Sequence, residues 1–142
     1  VSPAKPHRDY SGTPLPKKLG LVTAKGGVGE VAVVGAPEGF RALLGELPED
    51  VRLHARLRDT TRLALCFVRS RTELEAMLEM LTAQLPRAAH VWVIRPKTHL
   101  EPDLKENDVR EGGLAIGLVD YKVCSVSEEW SGLKFAWRKT SP

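Results

Sequence analysis

The sequence is poor in the features that most readily announce a function. It holds two cysteines in 142 residues. Cys66 and Cys124 each sit inside an apolar run, with no Cys or His at ligand spacing. Disulfide scaffolds and zinc sites need closely spaced thiols and imidazoles, so two buried, reduced thiols are expected instead. No stretch approaches the roughly 20 apolar residues that cross a bilayer, so no membrane role is expected. The first sixteen residues are polar and proline-punctuated, which does not read as a signal peptide and points to a cytoplasmic location. Aromatic residues make up 6% of the chain, and 21 Lys and Arg are offset by 18 Asp and Glu without forming a basic run. Single-strand binders need stacking platforms and basic stripes, so nucleic acid is not the expected partner. A net charge of +3 permits weak attraction to anions without choosing one.

Chemistry-bearing sets are equally scarce. The four histidines (His7, His54, His90, His99) show no i,i+4 pair, and Ser131 has no evident His–Asp partners. Glu101, Asp103, Glu106, Asp108 and Glu111 cluster, but helix capping accounts for Asp103 and Glu106 and an exposed helix face for the rest. Paired catalytic carboxylates would have to converge from separate elements. The pattern therefore offers no catalytic residue, no metal site and no bound cofactor.

What is present is one α/β domain. Residues 1–16 carry Pro3, Pro6, Pro14 and Pro16 and read as an N-terminal arm; residues 17–142 read as a single domain. Lys25-Gly26-Gly27-Val28-Gly29 reads as a flexible loop. The apolar runs 31–34, 63–68 and 90–94 read as strands buried on both faces, and the alternation over 51–57 as a half-buried strand. Helical spacing follows Gly39 (Phe40, Leu43, Leu44, Leu47), with Pro37 suited to the first helical position and Glu38 to the helix dipole. A second helix carries Leu74, Met77, Leu78, Leu81 and Leu85 behind a Ser70/Glu73 capping box. A third runs from Asp103 toward Gly117, weakened by Gly112 and Gly113. Residues 121–126 and 133–137 read as a closing antiparallel hairpin.

The order β-α-β-β-α-β-α-β-β predicts a three-layer, Rossmann-like, mostly parallel sheet with a C-terminal antiparallel hairpin, a truncated methyltransferase-like fold. The connection before residue 63 is too short for a helical crossover. Either a helix is missing there or the two strands pair antiparallel.

Two glycine motifs resemble ligand-binding loops, though the first precedes the first strong strand instead of joining a strand to a helix. Lys25-Gly26-Gly27-Val28-Gly29 opens like a phosphate-binding loop, but Glu30 and Val31 replace the lysine and the hydroxyl that its chemistry needs. Gly35-Ala36-Pro37-Glu38-Gly39 occupies the place of a nucleotide or S-adenosylmethionine (SAM) loop, with Asp59 about twenty residues on as the candidate ribose acid. Gly35, Pro37, Glu38 and Gly39 are thus candidate cofactor-binding residues. The same strand-end rim would collect Arg69 to Arg71, Arg95, Lys97 and Trp130. Arg95, Lys97 and Trp130 are candidates for binding an anion or an acidic patch on another protein. The leading expectation is a non-enzymatic module for an unknown protein or small anionic ligand. Its rival is a methyltransferase-like protein binding a nucleoside-containing ligand such as SAM.

Several blocks also carry a likeness: Tyr10-Ser11-Gly12-Thr13-Pro14-Leu15 with Lys18-Leu19-Gly20, Gly35 to Phe40, Pro96-Lys97, Val109-Arg110, Gly117-Leu118-Val119-Asp120 with Lys122-Val123-Cys124, and Trp130-Ser131-Gly132-Leu133-Lys134. In these the chain resembles an uncharacterised bacterial family known only as a domain of unknown function. The resemblance implies a small cytoplasmic protein and assigns no chemistry.

Overall fold

The computed structural model describes residues 13–139. Most of the expected proline-rich arm lies outside these residues, and its last two, Leu15 and Pro16, already belong to helix α1 (Leu15–Leu19). Proline is suited to the start of a helix, where its missing N–H costs nothing. Leu19 and Leu21 are completely buried, so α1 is held by packing. The glycine segment expected as a flexible loop is a small hairpin, β1 (Val22–Thr23) against β2 (Gly26–Gly27). The Asp50 carboxylate accepts the Gly27 N–H at 2.9 Å and ties that hairpin to the domain.

The main sheet has six strands in the order β4-β3-β5-β6-β8-β7. These are β3 (Gly29–Val34), β4 (Val51–His54), β5 (Leu63–Phe67), β6 (His90–Pro96), β7 (Leu118–Ser125) and β8 (Trp130–Trp137). The first four run parallel, and β8 and β7 close the sheet as an antiparallel hairpin. Every residue of β5 is buried, as an apolar run without alternation requires when helices cover both faces.

Helices α1 and α2 (Phe40–Leu44) cover one face, where Leu19, Phe40 and Leu44 pack on Leu65, Phe67, Trp92 and Ile94. Helices α3 (Arg71–Gln84) and α4 (Glu106–Ala115) cover the other, where Leu74, Leu81 and Val109 meet Ala64, Cys66, Val91, Val93 and Phe135. The chain is therefore an α/β/α sandwich with a mostly parallel sheet.

The ambiguity before β5 resolves as a lost helix. β4 lies parallel to β3 at the sheet edge, and residues 55–62 return past β3 to β5 without one. A parallel connection normally takes a dozen or more residues. Here β4 is only four residues long, and Leu57, 8% exposed, packs into the core on the α3–α4 face.

Three details of the helices differ from expectation. α2 ends at Leu44, short of Leu47. At α3 the Ser70 hydroxyl accepts the Glu73 N–H at 3.1 Å, but Glu73 reaches past Ser70 to the Arg69 N–H at 2.9 Å. At α4 the cap is neither Asp103 nor Glu106: the Asp108 carboxylate accepts the Lys105 N–H at 2.8 Å, which holds Asp108 below the usual carboxylate range.

Gly112 and Gly113 are close-packing positions. A Cβ on Gly113 would lie 2.9 Å from Cζ of Phe135 and nearer still to its neighbour Cε2, and one on Gly112 would lie 2.7 Å from Cδ1 of Leu78. Gly113→Ala is therefore expected to destabilise the fold by about 1–3 kcal/mol from overpacking, although Ala favours helices by about 1 kcal/mol. Gly112→Ala, which meets only the tip of a half-buried leucine, should stay within about 1 kcal/mol of wild type. Urea unfolding midpoints of the two variants check the contrast.

Cys66 is completely buried and unpaired, and burial pushes its thiol pKa up to about 12. Since the thiolate is the nucleophile, Cys66 should resist dithiobis(nitrobenzoate) in the native protein and react on unfolding. The Cys124→Ser background isolates its signal.

Candidate site at the strand ends

β3, β5 and β6 point the same way, so their exits share an edge, and β8 begins there because Trp130 pairs with Pro96. From β3 the chain goes outward to β4 and then back across to β5. Strand order therefore reverses at β3, the point at which open α/β sheets usually take ligands.

The loop leaving β3 is more open than expected. Pro37 does not start the helix; its carbonyl accepts the Phe40 N–H at 3.2 Å in a turn, and α2 begins at Phe40. Gly35 and Gly39 have φ of 72° and 90°, left-handed values that side chains with a Cβ rarely adopt. Gly35 is also crowded, since a Cβ there would lie 3.1 Å from the Phe67 carbonyl oxygen. Glu38 is exposed and lies ahead of a helix only five residues long, so its expected role at the first turn is not fulfilled.

Arg69 bridges the loops that leave β3 and β5. Its Nη2 donates to the Gly35 carbonyl at 2.8 Å, its guanidinium lies 5.3 Å from the Trp130 ring centre, and Nη1 is 3.7 Å from Glu73. Trp130 stands edge-on to Phe67, which stands edge-on to Phe40, with centroids 5.2 and 4.8 Å apart. These contacts join the two loops.

Arg95, Lys97 and Trp130 do come together, as neighbours across the β6–β8 pairing. The charged groups of Arg95 and Lys97 are engaged within the chain. Arg95, 7% exposed, donates from Nη1 to the Pro96 carbonyl at 3.0 Å and to Thr98 Oγ1 at 3.4 Å, and burial lowers its pKa. Lys97 Nζ donates to Ser125 Oγ at 2.7 Å, and burial lowers its pKa as well.

Two open grooves flank the exit of β3. One, of about 340 Å³, is formed by Val33, Ala36, Pro37 and Gly39 with Phe40 and Leu44 of α2 and Leu53 to Ala55 at the end of β4. The other, of about 360 Å³, runs between Val34, Gly35 and Arg69 and the Ala76, Met77 and Met80 face of α3, where the lost crossover leaves α3 partly uncovered. Leu53, His54 and Ala55 were not legible as site residues, because the direction of β4 was open from sequence.

Asp59 does not belong to this edge. It lies in the return link beside Thr60, whose hydroxyl donates to Glu30 near the start of β3, the opposite end of the sheet. That bond is the main reason Glu30 stays below the usual carboxylate range. The end of β4, where a ribose-reading acid would stand, carries His54, Ala55 and Arg56. His54 Nε2 is enclosed and lies 3.3 Å from Glu30 Oε1, outside hydrogen-bonding alignment.

The fold has clear relatives among solved structures. A SAM-dependent methyltransferase from Aquifex aeolicus is 16% identical with a TM-score of 0.57, over 85% of this chain and 86% of that one. A Sulfolobus solfataricus protein classed with the type 11 methyltransferases is 12% identical with a TM-score of 0.55, over 90% and 92% of the two chains. DhpI, solved in complex with SAH, is 11% identical with a TM-score of 0.52, over 79% and 78%. At these identities the likeness shows a fold, the Rossmann-like methyltransferase sandwich. No curated protein matches the chain. A family model described as a protein of unknown function, DUF3052, matches residues 49–139, from the approach to β4 to the residues just past β8. That span exceeds half of the sequence, and the chain belongs to the DUF3052 family.

Proposed function

We propose that this protein is a ligand-binding member of the methyltransferase fold that takes a nucleoside-containing ligand of the SAM class in the groove beside Gly35 to Gly39. The observation that carries this reading is the open 340 Å³ groove at the ends of β3 and β4, at the sheet edge where α/β folds bind ligands. Its size lies at the lower end of the range for small-molecule sites.

The residues present suit the nucleoside half of such a ligand. Val33, Phe40, Leu44 and Leu53 supply apolar walls for a planar base. The left-handed backbone at Gly39 leaves the lip without side-chain bulk, and a Cβ there would meet nothing within 4 Å. With His54, Ala55 and Arg56 at the end of β4, the exposed Glu38 is the acid nearest in sequence to the groove for a ribose hydroxyl. The remainder of the ligand would have to run toward β5, where Arg69 is bonded to Gly35 and stacked on Trp130. Binding is accordingly the activity proposed, with the Arg69–Gly35 bond lying toward the end where transfer would occur. When bound, SAM itself would supply the sulfonium methyl group.

The alternative, docking of an anion or acidic protein patch on Arg95, Lys97 and Trp130, would require breaking the bonds to Pro96, Thr98 and Ser125. Seating the nucleoside half in the groove needs no such rearrangement.

Thermal-shift and calorimetric titrations with SAM, SAH and adenosine test the proposal. At a ligand concentration of 100 times the dissociation constant, stabilisation should reach about 2.7 kcal/mol. Ala36→Trp, which fills the groove from an exposed loop position, should weaken binding at least about tenfold while leaving the melting temperature of the free protein unchanged. Failure of all three ligands to bind, or unaltered binding by Ala36→Trp, would overturn the assignment.

A further inference from the structure

A second cavity, of about 290 Å³, lies at the opposite end of the sheet from the strand-end groove. It is lined by Gly20, Thr23 and Val28 of the N-terminal segment, Arg62 and Leu63 entering β5, Ala88 and His90 entering β6, Tyr121 of β7 and Lys134 of β8. None of these lining residues is acidic. Lys134 pairs across the strands with Trp92, which is completely buried, and its ammonium lies 5.6 Å from the Trp92 ring centre and 5.7 Å from that of Tyr121. Among the described residues its Nζ makes no hydrogen bond and no ion pair. Burial and the neighbouring Lys122 hold its pKa below the ordinary lysine value.

An ammonium drawn partly out of water normally keeps a carboxylate beside it. Here the neighbouring charge is instead another cation, Lys122. His90 is held below its ordinary pKa by burial and by Lys134, so it is neutral near pH 7. Its Nδ1 is hydrogen-bonded to the Tyr121 hydroxyl, and Tyr121 is pushed upward by burial and stays protonated. Whichever of the two donates in that bond, one N–H or O–H of the pair remains for a third group. Lys134, Arg62 and the His90–Tyr121 pair thus line one cavity, with donors arriving from three directions.

We propose that this cavity is a binding site for a phosphoryl anion, with Lys134 as its central charge and Arg62 and the one remaining N–H or O–H of the His90–Tyr121 pair as further donors. Donors arriving from several directions suit a tetrahedral oxyanion better than the single plane of a carboxylate, and lysine binds phosphate as a point charge. The Tyr121 and Trp92 rings beside the ammonium offer a surface for a small organic group attached to the phosphate. The site is independent of the nucleoside groove and does not rest on that assignment.

The test is titration of the full chain with inorganic phosphate and with phenyl phosphate, against chloride at matched ionic strength, by calorimetry and thermal shift. Phosphate should raise the melting temperature beyond chloride. Lys134→Met, which keeps the apolar stem of the side chain and removes the charge, should weaken binding by about tenfold or more. Tyr121→Phe, at a residue half exposed to solvent, should weaken it a few-fold and serves as the deciding variant if Lys134→Met does not fold. Ala36→Trp should leave phosphate binding unchanged, which separates this site from the groove. Tighter binding of phenyl phosphate identifies an organic phosphomonoester site, and equal binding a free-phosphate site. No stabilisation beyond chloride, or affinity unchanged in both Lys134→Met and Tyr121→Phe, would overturn the proposal.

Discussion

The constraint on which the rest of the structure depends is the parallel pairing of β3, β5 and β6, with β5 buried along its whole length. A strand buried on both faces must be covered by two layers, so the helices divide into α1 with α2 on one side and α3 with α4 on the other. The same pairing makes the two ends of the sheet chemically different. Exit loops gather at one end, and the N-terminal segment, the entry residues of β5 and β6 and the C-terminal half of β8 gather at the other.

At the exit end the fold has lost material relative to a full doubly wound sheet, and the loss explains the local architecture. With no helix between β4 and β5, the edge strand shrinks to four residues and Leu57 supplies apolar burial in the return link. The exposed flank of α3 and the groove beside α2 both border this thinned region. Arg69 ties the two loops together with a charge-assisted bond to Gly35 and lies against Trp130. The likeness to methyltransferases is one of scaffold.

Several residues of the blocks set out from the sequence are explained by packing and pinning. Val109 is buried beneath α4, while Arg110 on that helix donates to Asp120 on β7 at 3.0 Å and to Glu106 at 2.6 Å. Lys122 donates to the Lys18 carbonyl at 3.3 Å, joining the last hairpin to α1. These contacts hold α4, β7 and the N-terminal helix in register. Among the residues in those blocks Lys134 stands apart, since its Nζ faces a cavity and, among the described residues, forms no ion pair or hydrogen bond.

Periodicity and turn chemistry alone determined the order of elements from β3 onward, the buried character of β5 and β6, the α3 cap at Ser70 and the closing hairpin, because each depends on residues close in sequence. The shared edge of the strand exits followed from the strand–helix alternation, since parallel strands joined by helices must all leave on one side. Tertiary structure alone decided the direction of β4, the late start of α2 and the displacement of Asp59 to the wrong end of the sheet. It also revealed why Gly112 and Gly113 stand in a helix, and why Arg95 is buried against its own loop. In each of these the deciding partner is distant in sequence (Leu78 and Phe135 for the glycines, β3 for β4) or the outcome turns on backbone geometry that composition does not encode. A residue's neighbours across a sheet are set by strand pairing, and pairing is a property of the folded chain.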